Sequence, residues 1–435
     1  MVEGIDIQKL AAQAKAGDAD AQYKMAAYLS GEGQKDAAIK MLRQAATAGH
    51  LDARFTLSNF MLSGHMVDRD VSHAVQVLAQ AAAKDHEASM RLLSVLKAMG
   101  HGCDADWPAA VALLVTGARK GHMLALAELA LLRELYGFED DLNTALLLAA
   151  ATRGNIIAAM QLVSRHLKGD GTIEAGLAKQ WTMQGRQLGH PLAGNLLVRF
   201  EGATAAALPE PTELPKIPED ILSDLATAPE ALARPQAKVE LDRPHVETVP
   251  GLIGPSLCEH IIASSAPSLA PARVVDPNSG ELRADPYRHS YNMTFWPADL
   301  DLVLHAIGAR MCAAAGVAPD HGEMLSVLYY QPGMYYGPHY DCLVPGADGQ
   351  NAELERSGQR PKTVLIYLND GYEGGSTSFV RAGFAHKGGV GDAIVFQNVL
   401  ADGEIDEQSL HESTPVTAGV KWIASKWIRE KSYQF

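Results

Sequence analysis

Over the first 200 residues, apolar positions recur at three- and four-residue intervals. Ala21, Met25, Tyr28 and Leu29 form one stripe, and Ala53, Leu57, Phe60 and Met61 form another. That period predicts amphipathic helices. Between these stripes, "DAAIKMLRQAATAG" sets Ala38, Leu42, Ala45 and Ala46 on one face and then reaches Gly49, which supplies a stop. Beyond residue 320 the pattern changes. The runs "MLSVLYY", "KTVLIYLND", "STSFVRA", "DAIVFQN" and "KWIASKWIRE" have strand length, β-branched and aromatic content, and Gly or Pro between them. Upstream of them, "SLCEHIIASSAP" and "DLVLHAIGARMCAAAG" keep helical spacing. The expected architecture is multidomain. An N-terminal all-α helix-hairpin solenoid precedes a C-terminal double-stranded β-helix, or jelly roll, with flanking helices.

The helical part repeats itself. "AGDADAQYKM", "AGHLDARFTL", "KGHMLALAEL", "RGNIIAAMQL" and "LGHPLAGNLL" align on Ala21, Ala53, Ala125, Ala158 and Ala193, with a degenerate copy at Ala88 in "KDHEASMRLL". Successive alanines lie 32, 35, 37, 33 and 35 residues apart, the period of a helix-hairpin array. Small side chains at the recurring positions let paired helices approach closely. The pattern resembles Sel-one-like repeats, short relatives of tetratricopeptide repeats, over residues 5–200. Such stacks present a concave face, so the resemblance implies docking of a partner or substrate, with a plain scaffold as the alternative. Residues 201–236 contain six prolines, many alanines and acids, and one short amphipathic run, "EDILSDLA". They read as an inter-domain linker. The chemistry then belongs to residues 237–435.

Composition narrows the field. The 435 residues are 47% hydrophobic, enough for two or three cored domains. No apolar run approaches the ~20 residues that span a bilayer, and "MVEGIDIQKLAAQ" lacks the basic-then-apolar order of a signal peptide. A cytoplasmic protein without a membrane partner is expected. Cys103, Cys258, Cys312 and Cys342 are scattered without CxxC spacing, which favours free thiols over disulfides or a zinc site. A net charge of −14 speaks against nucleic acid as a partner.

Two His-x-Asp triplets occur, His50-Leu-Asp52 and His339-Tyr-Asp341, where chance alone supplies about one. Residues two apart share the face of a strand but not of a helix. His50-Leu-Asp52 precedes a helical stretch, whereas "EMLSVLYY" leads into the second triplet with strand character. His339 and Asp341 are therefore the candidate metal pair. A distant strand offers His411, and two histidines with one carboxylate form the facial triad of non-haem Fe(II) oxygenases.

The order of motifs is more specific. Tyr330-x-x-Gly333-x-x-Tyr336-x-x-His339-x-Asp341 is followed by "RPKTVLIYLNDGYEGGSTSF", "GDAIVFQN", and then His411 with Pro415, Val416, Gly419, Lys421 and Trp427. From about residue 240 to the C-terminus the chain resembles the catalytic domain of prolyl 4-hydroxylases. That resemblance implies Fe(II) on His339, Asp341 and His411. It also implies 2-oxoglutarate as cosubstrate, O2 as oxidant and ascorbate as a candidate reductant. Lys421 would pair the distal carboxylate of 2-oxoglutarate, with the hydroxyls of Tyr330 and Thr377 beside it. Arg288, Ser290, Glu323, Tyr336, Arg360 and Trp427 match the family's peptide groove. Arg429 stands where some relatives carry histidine, which puts the usual substrate in question. The polar stretch 344–360 follows the metal pair directly and reads as a lid, or as an unstructured insertion. The implied activity is prolyl 4-hydroxylation of a protein or peptide docked by the repeats. The alternatives are hydroxylation of another residue type or a small metabolite with the repeats as scaffold, and a non-catalytic interaction protein. The intact triad with Lys421 argues against the last.

Overall fold

The computed structural model describes residues 6–170, 172–231, 234–275, 282–283, 287–344, 346 and 348–433. The chain divides into two compact units, residues 1–125 with 297–302, and residues 126–296 with 303–435.

In the first unit the predicted hairpins form helices Ile7–Lys15, Ala19–Gly31, Lys35–Thr47, Leu51–Ser63, Val71–Ala82, Glu87–Met99 and Trp107–Arg119. Each packs on the next. Gly49 adopts φ +96°, and the turn there is closed by His50 N–H to the Ala45 carbonyl (3.0 Å) and Gly49 N–H to Ala46 (3.1 Å). This is the Schellman arrangement expected of a C-terminal glycine. Helix starts explain the alanine register. The side chains of Asp18 and His50 accept the backbone N–H groups of Ala21 and Ala53, three residues on. Ala21 and Ala53 are buried. In the degenerate copy His86 caps at Ser89 N–H (3.3 Å), and Ser89 is the buried residue. Ser89, not Ala88, is thus the equivalent position. Residue identity singles out Ala88, whereas the cap-plus-three geometry fixes the phase at Ser89.

The second unit continues the hairpins with Asp141–Thr152, Ile156–Leu167 and Ala175–Gln187. Residues 203–217 carry no regular element but are tied down. Ala206 N–H donates to Gly176 O (3.0 Å), and Arg153 Nη2 donates to Thr212 O (2.9 Å). The amphipathic run that follows forms helix Ile221–Ala231. Helix Ile156–Leu167 packs on Pro255–Ser265, with Gln161 Nε2 donating to Ser256 O at 3.3 Å.

Among the described residues the strands build two facing antiparallel sheets and two short pairs, Tyr372–Gly374 with Val416–Gly419 and Val274–Val275 with Leu282–Arg283. The larger runs in the order Lys238–Leu241, Val246–Val249, Ala393–Gln397, Lys362–Tyr367, Lys421–Ile428, Ser326–Tyr330, Tyr291–Thr294, Ala270–Pro271. The smaller runs Phe384–His386, Thr377–Phe379, His411–Ser413, Tyr335–His339, Arg288–His289. Phe379 of the smaller sheet packs with Leu365, Tyr367, Ile394, Phe396 and Ile423 of the larger, so a jelly-roll core lies between them. Both predicted flanking helices are present, at Pro255–Ser265 and Leu302–Ala314.

The unstructured alternative for 344–360 does not hold over its helical part. Within the stretch read as a lid or unstructured insertion, Asp348–Ser357 is a helix. Its first turn is held by side chains, because Gln350 Oε1 accepts Val344 N–H (2.6 Å) and Asn351 Oδ1 accepts Gly346 N–H (3.2 Å). Residues 352–356, "AELER", are strong helix formers, and Gly358 at φ +73° ends the run. Among the described residues, no helix is long and apolar enough to cross a membrane.

Candidate metal and cosubstrate site

His339 closes the strand Tyr335–His339, His411 opens the strand His411–Ser413, and the two are direct cross-strand partners. Asp341 lies two residues past the end of its strand. The three side chains converge, with one ligand atom from each within 4.8 Å of the others. His339 Nε2 is 3.7 Å from Asp341 Oδ1, and His411 Nε2 is 3.5 Å from Oδ2. Each Nδ1 instead faces a backbone carbonyl two residues earlier, Gly337 O at 2.8 Å and Ser409 O at 2.9 Å. A carbonyl only accepts, so Nδ1 carries the proton and the Nε2 lone pairs point at the site. Tyr336 stacks on the His339 ring at 3.6 Å, and Phe396 meets the His411 ring edge-on at 4.7 Å.

Burial, aided by the neighbouring His411, holds the His339 imidazole well below its usual pKa. Burial opposes ionisation of Asp341, but the two imidazoles and the Thr363 hydroxyl outweigh it and keep its carboxyl below the ordinary range. A neutral His339 imidazole beside an ionised Asp341 carboxylate suits a divalent cation. This mixed nitrogen and oxygen donor set fits Fe(II). Behind Asp341, the Thr363 hydroxyl donates to Oδ2 at 2.7 Å and accepts from Asn398 Nδ2 at 3.0 Å.

The triad lines a cavity of about 420 Å³ that also holds Lys421, Tyr330 and Thr377. Lys421 is 1% exposed, and its Nζ donates to Ser413 Oγ at 2.8 Å. It has no carboxylate partner among the described residues. Burial, with Lys387 nearby, pushes its pKa down to about 7. Tyr330 is its cross-strand neighbour, with the ammonium 5.1 Å from the ring centroid, and burial pushes the phenol up to about 12. Thr377 pairs across its own sheet with Ser413 and receives the Tyr367 hydroxyl at 2.9 Å. A lysine at the floor of a cavity, with its ammonium disfavoured by burial, is returned to the charged form by an anionic guest. A dicarboxylate that reaches the triad at its other end is such a guest.

The expected groove residues separate into two sets. Arg288, Tyr336, Arg360 and Trp427 line the cavity. Ser290 is buried against the Tyr330 hydroxyl instead. Glu323 is also away from the cavity, its carboxylate accepting Arg360 Nε (2.6 Å) and Nη2 (3.0 Å) and Arg429 Nη1 (3.1 Å). Arg360 lies 3.8 Å over the Trp427 ring. Arg288 Nε and Trp427 Nε1 are buried without a partner among the described residues. The sequence reading did not find Thr363, Asn398, Ser413 or Tyr367. Of these only Ser413 had a signal, since it lies two residues after His411 on the same strand.

Residues 325–429 match the model of the 2OG-Fe(II) oxygenase superfamily. Prolyl 4-hydroxylase 1 of Arabidopsis thaliana is 32% identical over 203 residues, 43% of this chain and 70% of that protein. Three further probable prolyl 4-hydroxylases of that plant are spanned over 66%, 64% and 68% of their length. Among solved structures, the 2OG complex of the viral collagen prolyl hydroxylase vCPH from Paramecium Bursaria Chlorella virus-1 aligns at 24% identity and a TM-score of 0.33, over 42% of this chain and 95% of that one. A Sel1 repeat protein from Oxalobacter formigenes aligns at 23% identity and a TM-score of 0.30, over 47% of this chain and 62% of that one. The chain therefore belongs to the prolyl 4-hydroxylase family of oxygenases, whose cofactors are Fe(II) and 2-oxoglutarate.

Proposed function

We propose that the protein hydroxylates prolyl residues of a protein or peptide, with the helical repeats recruiting the target in the cytoplasm. The observation that carries the reading is the buried Lys421 side chain, which shares a cavity with the His339, Asp341 and His411 triad and has no carboxylate partner among the described residues. With Fe(II), 2-oxoglutarate and O2 bound, the site would insert one oxygen atom into an unactivated C–H, and the cosubstrate would leave as succinate and carbon dioxide. His339 and His411 would present their Nε2 atoms, and Asp341 one oxygen, from one side, leaving the opposite side open to ligands. Lys421 would pair the distal carboxylate, with Ser413, Tyr330 and Thr377 supplying hydroxyls around it. Arg288 Nε and Trp427 Nε1, the orphaned donors, would meet the acceptor groups of a peptide backbone.

The test is mass spectrometry of cell extract treated with the purified protein, Fe(II), 2-oxoglutarate and ¹⁸O₂, against His339→Ala. Label on proline in one or a few proteins is the expected result. Label confined to small molecules would sink the peptide reading and leave a metabolite oxygenase.

A further inference from the structure

Helix Asp348–Ser357 is joined to the metal-ligand segment by a chain of four charges, of which Glu323 and Arg429 are buried. Arg360 Nη1 lies 3.4 Å from the Asp341 carbonyl, and the same guanidinium grips Glu323 through two bonds. Glu323 is shared with Arg429, whose side chain is 0% exposed. Arg429 then reaches the helix twice, through Nη2 to the Glu353 carbonyl at 2.8 Å and Nη1 to its carboxylate at 3.7 Å. Glu353 is also paired with Arg356 on its own helix at 3.3 Å, and Lys426 Nζ donates to the Glu323 carbonyl. The Glu353 carboxylate adds a second anionic contact to Arg429 from the helix. One turn before Glu353, on the same helix, Gln350 lines the cavity. Its carbonyl oxygen is committed to Val344 N–H, which leaves its amide hydrogens for a ligand.

We propose that Arg429 is a positioning residue that locks helix Asp348–Ser357 as a fixed wall of the cavity, with Gln350 as the group this wall presents to substrate. The wall shields the open side of the triad from water when no substrate is present. The role of that cavity rests on the oxygenase reading above, but the lock itself does not.

The experiment compares Arg429→His, Arg429→Lys, Glu353→Gln and the double variant Arg429→His/Glu353→Gln. Amide hydrogen exchange over residues 350–357 is measured on each, without added ligands. Succinate release with Fe(II), 2-oxoglutarate and ascorbate but no substrate is measured in parallel, together with 2-oxoglutarate affinity. Arg429→His is expected to speed exchange at 350–357 by about tenfold or more, the mark of a lost local constraint. It is expected to raise substrate-free succinate release severalfold and to leave 2-oxoglutarate affinity within about twofold, while Arg429→Lys restores part of the protection. Glu353→Gln should act in the same direction more weakly, and the double variant should match Arg429→His, since both remove one linkage. Unchanged exchange, faster exchange throughout residues 326–428 with loss of 2-oxoglutarate binding, or additive effects in the double variant would each overturn the lock. If Arg429→His does not fold, the exchange rate of Glu353→Gln, a half-exposed site, decides. A wild-type protein that releases no succinate would defeat the oxygenase reading, and the exchange data would still judge the lock.

Discussion

His50-Leu-Asp52 in the first unit and His339-Tyr-Asp341 in the second share a spacing, and in each the imidazole approaches its own aspartate, through Nδ1 at 4.0 Å in the first and Nε2 at 3.7 Å in the second. His50 precedes a helix, and its Nδ1 accepts the Ala53 N–H at 3.2 Å. Its Nε2 faces Asp20 of the preceding hairpin at 3.7 Å, so both ring nitrogens serve the joint between repeats. Asp52 turns to the next copy, where it lies 3.2 Å from His86 Nε2. At His339 the assignment of nitrogens is reversed. Nδ1 is spent on a carbonyl of its own strand, and Nε2 is left with a lone pair directed at Asp341 and across from His411. A helix N-terminus offers N–H groups and so recruits the imidazole as an acceptor, whereas the strand's carbonyls recruit it as a donor. The local backbone therefore decides whether a histidine is a cap or a metal ligand.

The largest test of this contrast is to delete the same residue type from each triplet. Asp341→Ala should lower succinate formation by at least about a thousandfold and abolish tight Fe(II) binding, because no other carboxylate among the described residues joins the cluster. Asp52→Ala should leave both unchanged and cost about 1 kcal/mol of stability or less, since its side chain is 61% exposed. Parallel metal titration and thermal melts check the pair. A metal-binding defect in Asp52→Ala would break the contrast.

A smaller effect is expected at Lys421; the buried Arg133 of the repeats, by contrast, is paired with Asp140 at 2.5 Å. Lys421→Met should raise the 2-oxoglutarate KM by about a hundredfold while leaving Fe(II) affinity near wild type, since it removes the partner of one buried carboxylate. The pH dependence follows from its lowered pKa. In the empty cavity the ammonium loses its proton above about 7, and the bound carboxylate favours the charged form. Below that pH the affinity should be level. Above it, binding must take up a proton, and affinity should fall by up to about tenfold per pH unit. Calorimetric titration from pH 6 to 9 checks this, and the slope should vanish in Lys421→Met. A flat profile in the wild type would place the cosubstrate carboxylate elsewhere.

The two regions were also unequally legible in the sequence. The repeats and strands announce themselves through periods of 3.6 and 2, and the triad with Lys421 stands in motifs whose order restricts their meaning. Thr363 and Asn398 gave no signal, because their service to Asp341 depends on neighbouring strands of the larger sheet. Helix Asp348–Ser357 was hidden for a similar reason. Its lead-in "VPGADG" has loop composition, while the bonds that hold it come from Gln350, Asn351 and the distant Arg429. Tethering of residues 203–217 likewise depends on partners such as Arg153, 59 positions from Thr212. Glu323 and Arg360 matched groove positions by motif, yet two guanidiniums consume the Glu323 carboxylate.

The smallest expected effect lies at His50 and distinguishes a cap from a ligand by chemistry rather than by deletion. Asparagine is among the strongest N-cap residues and already performs that role at Asn155, where it accepts the Ala158 N–H at 2.9 Å. His50→Asn should therefore retain the Ala53 contact, lose only the approach to Asp20, and shift stability by a few tenths of a kcal/mol. His50→Ala, which leaves the Ala53 N–H without its acceptor, should cost about 1 kcal/mol. Denaturant unfolding of the two variants provides the comparison. At position 339 the order should fail, because asparagine would supply an amide where the site needs an imidazole lone pair fixed by the Gly337 carbonyl. His339→Asn should thus be as inactive as His339→Ala.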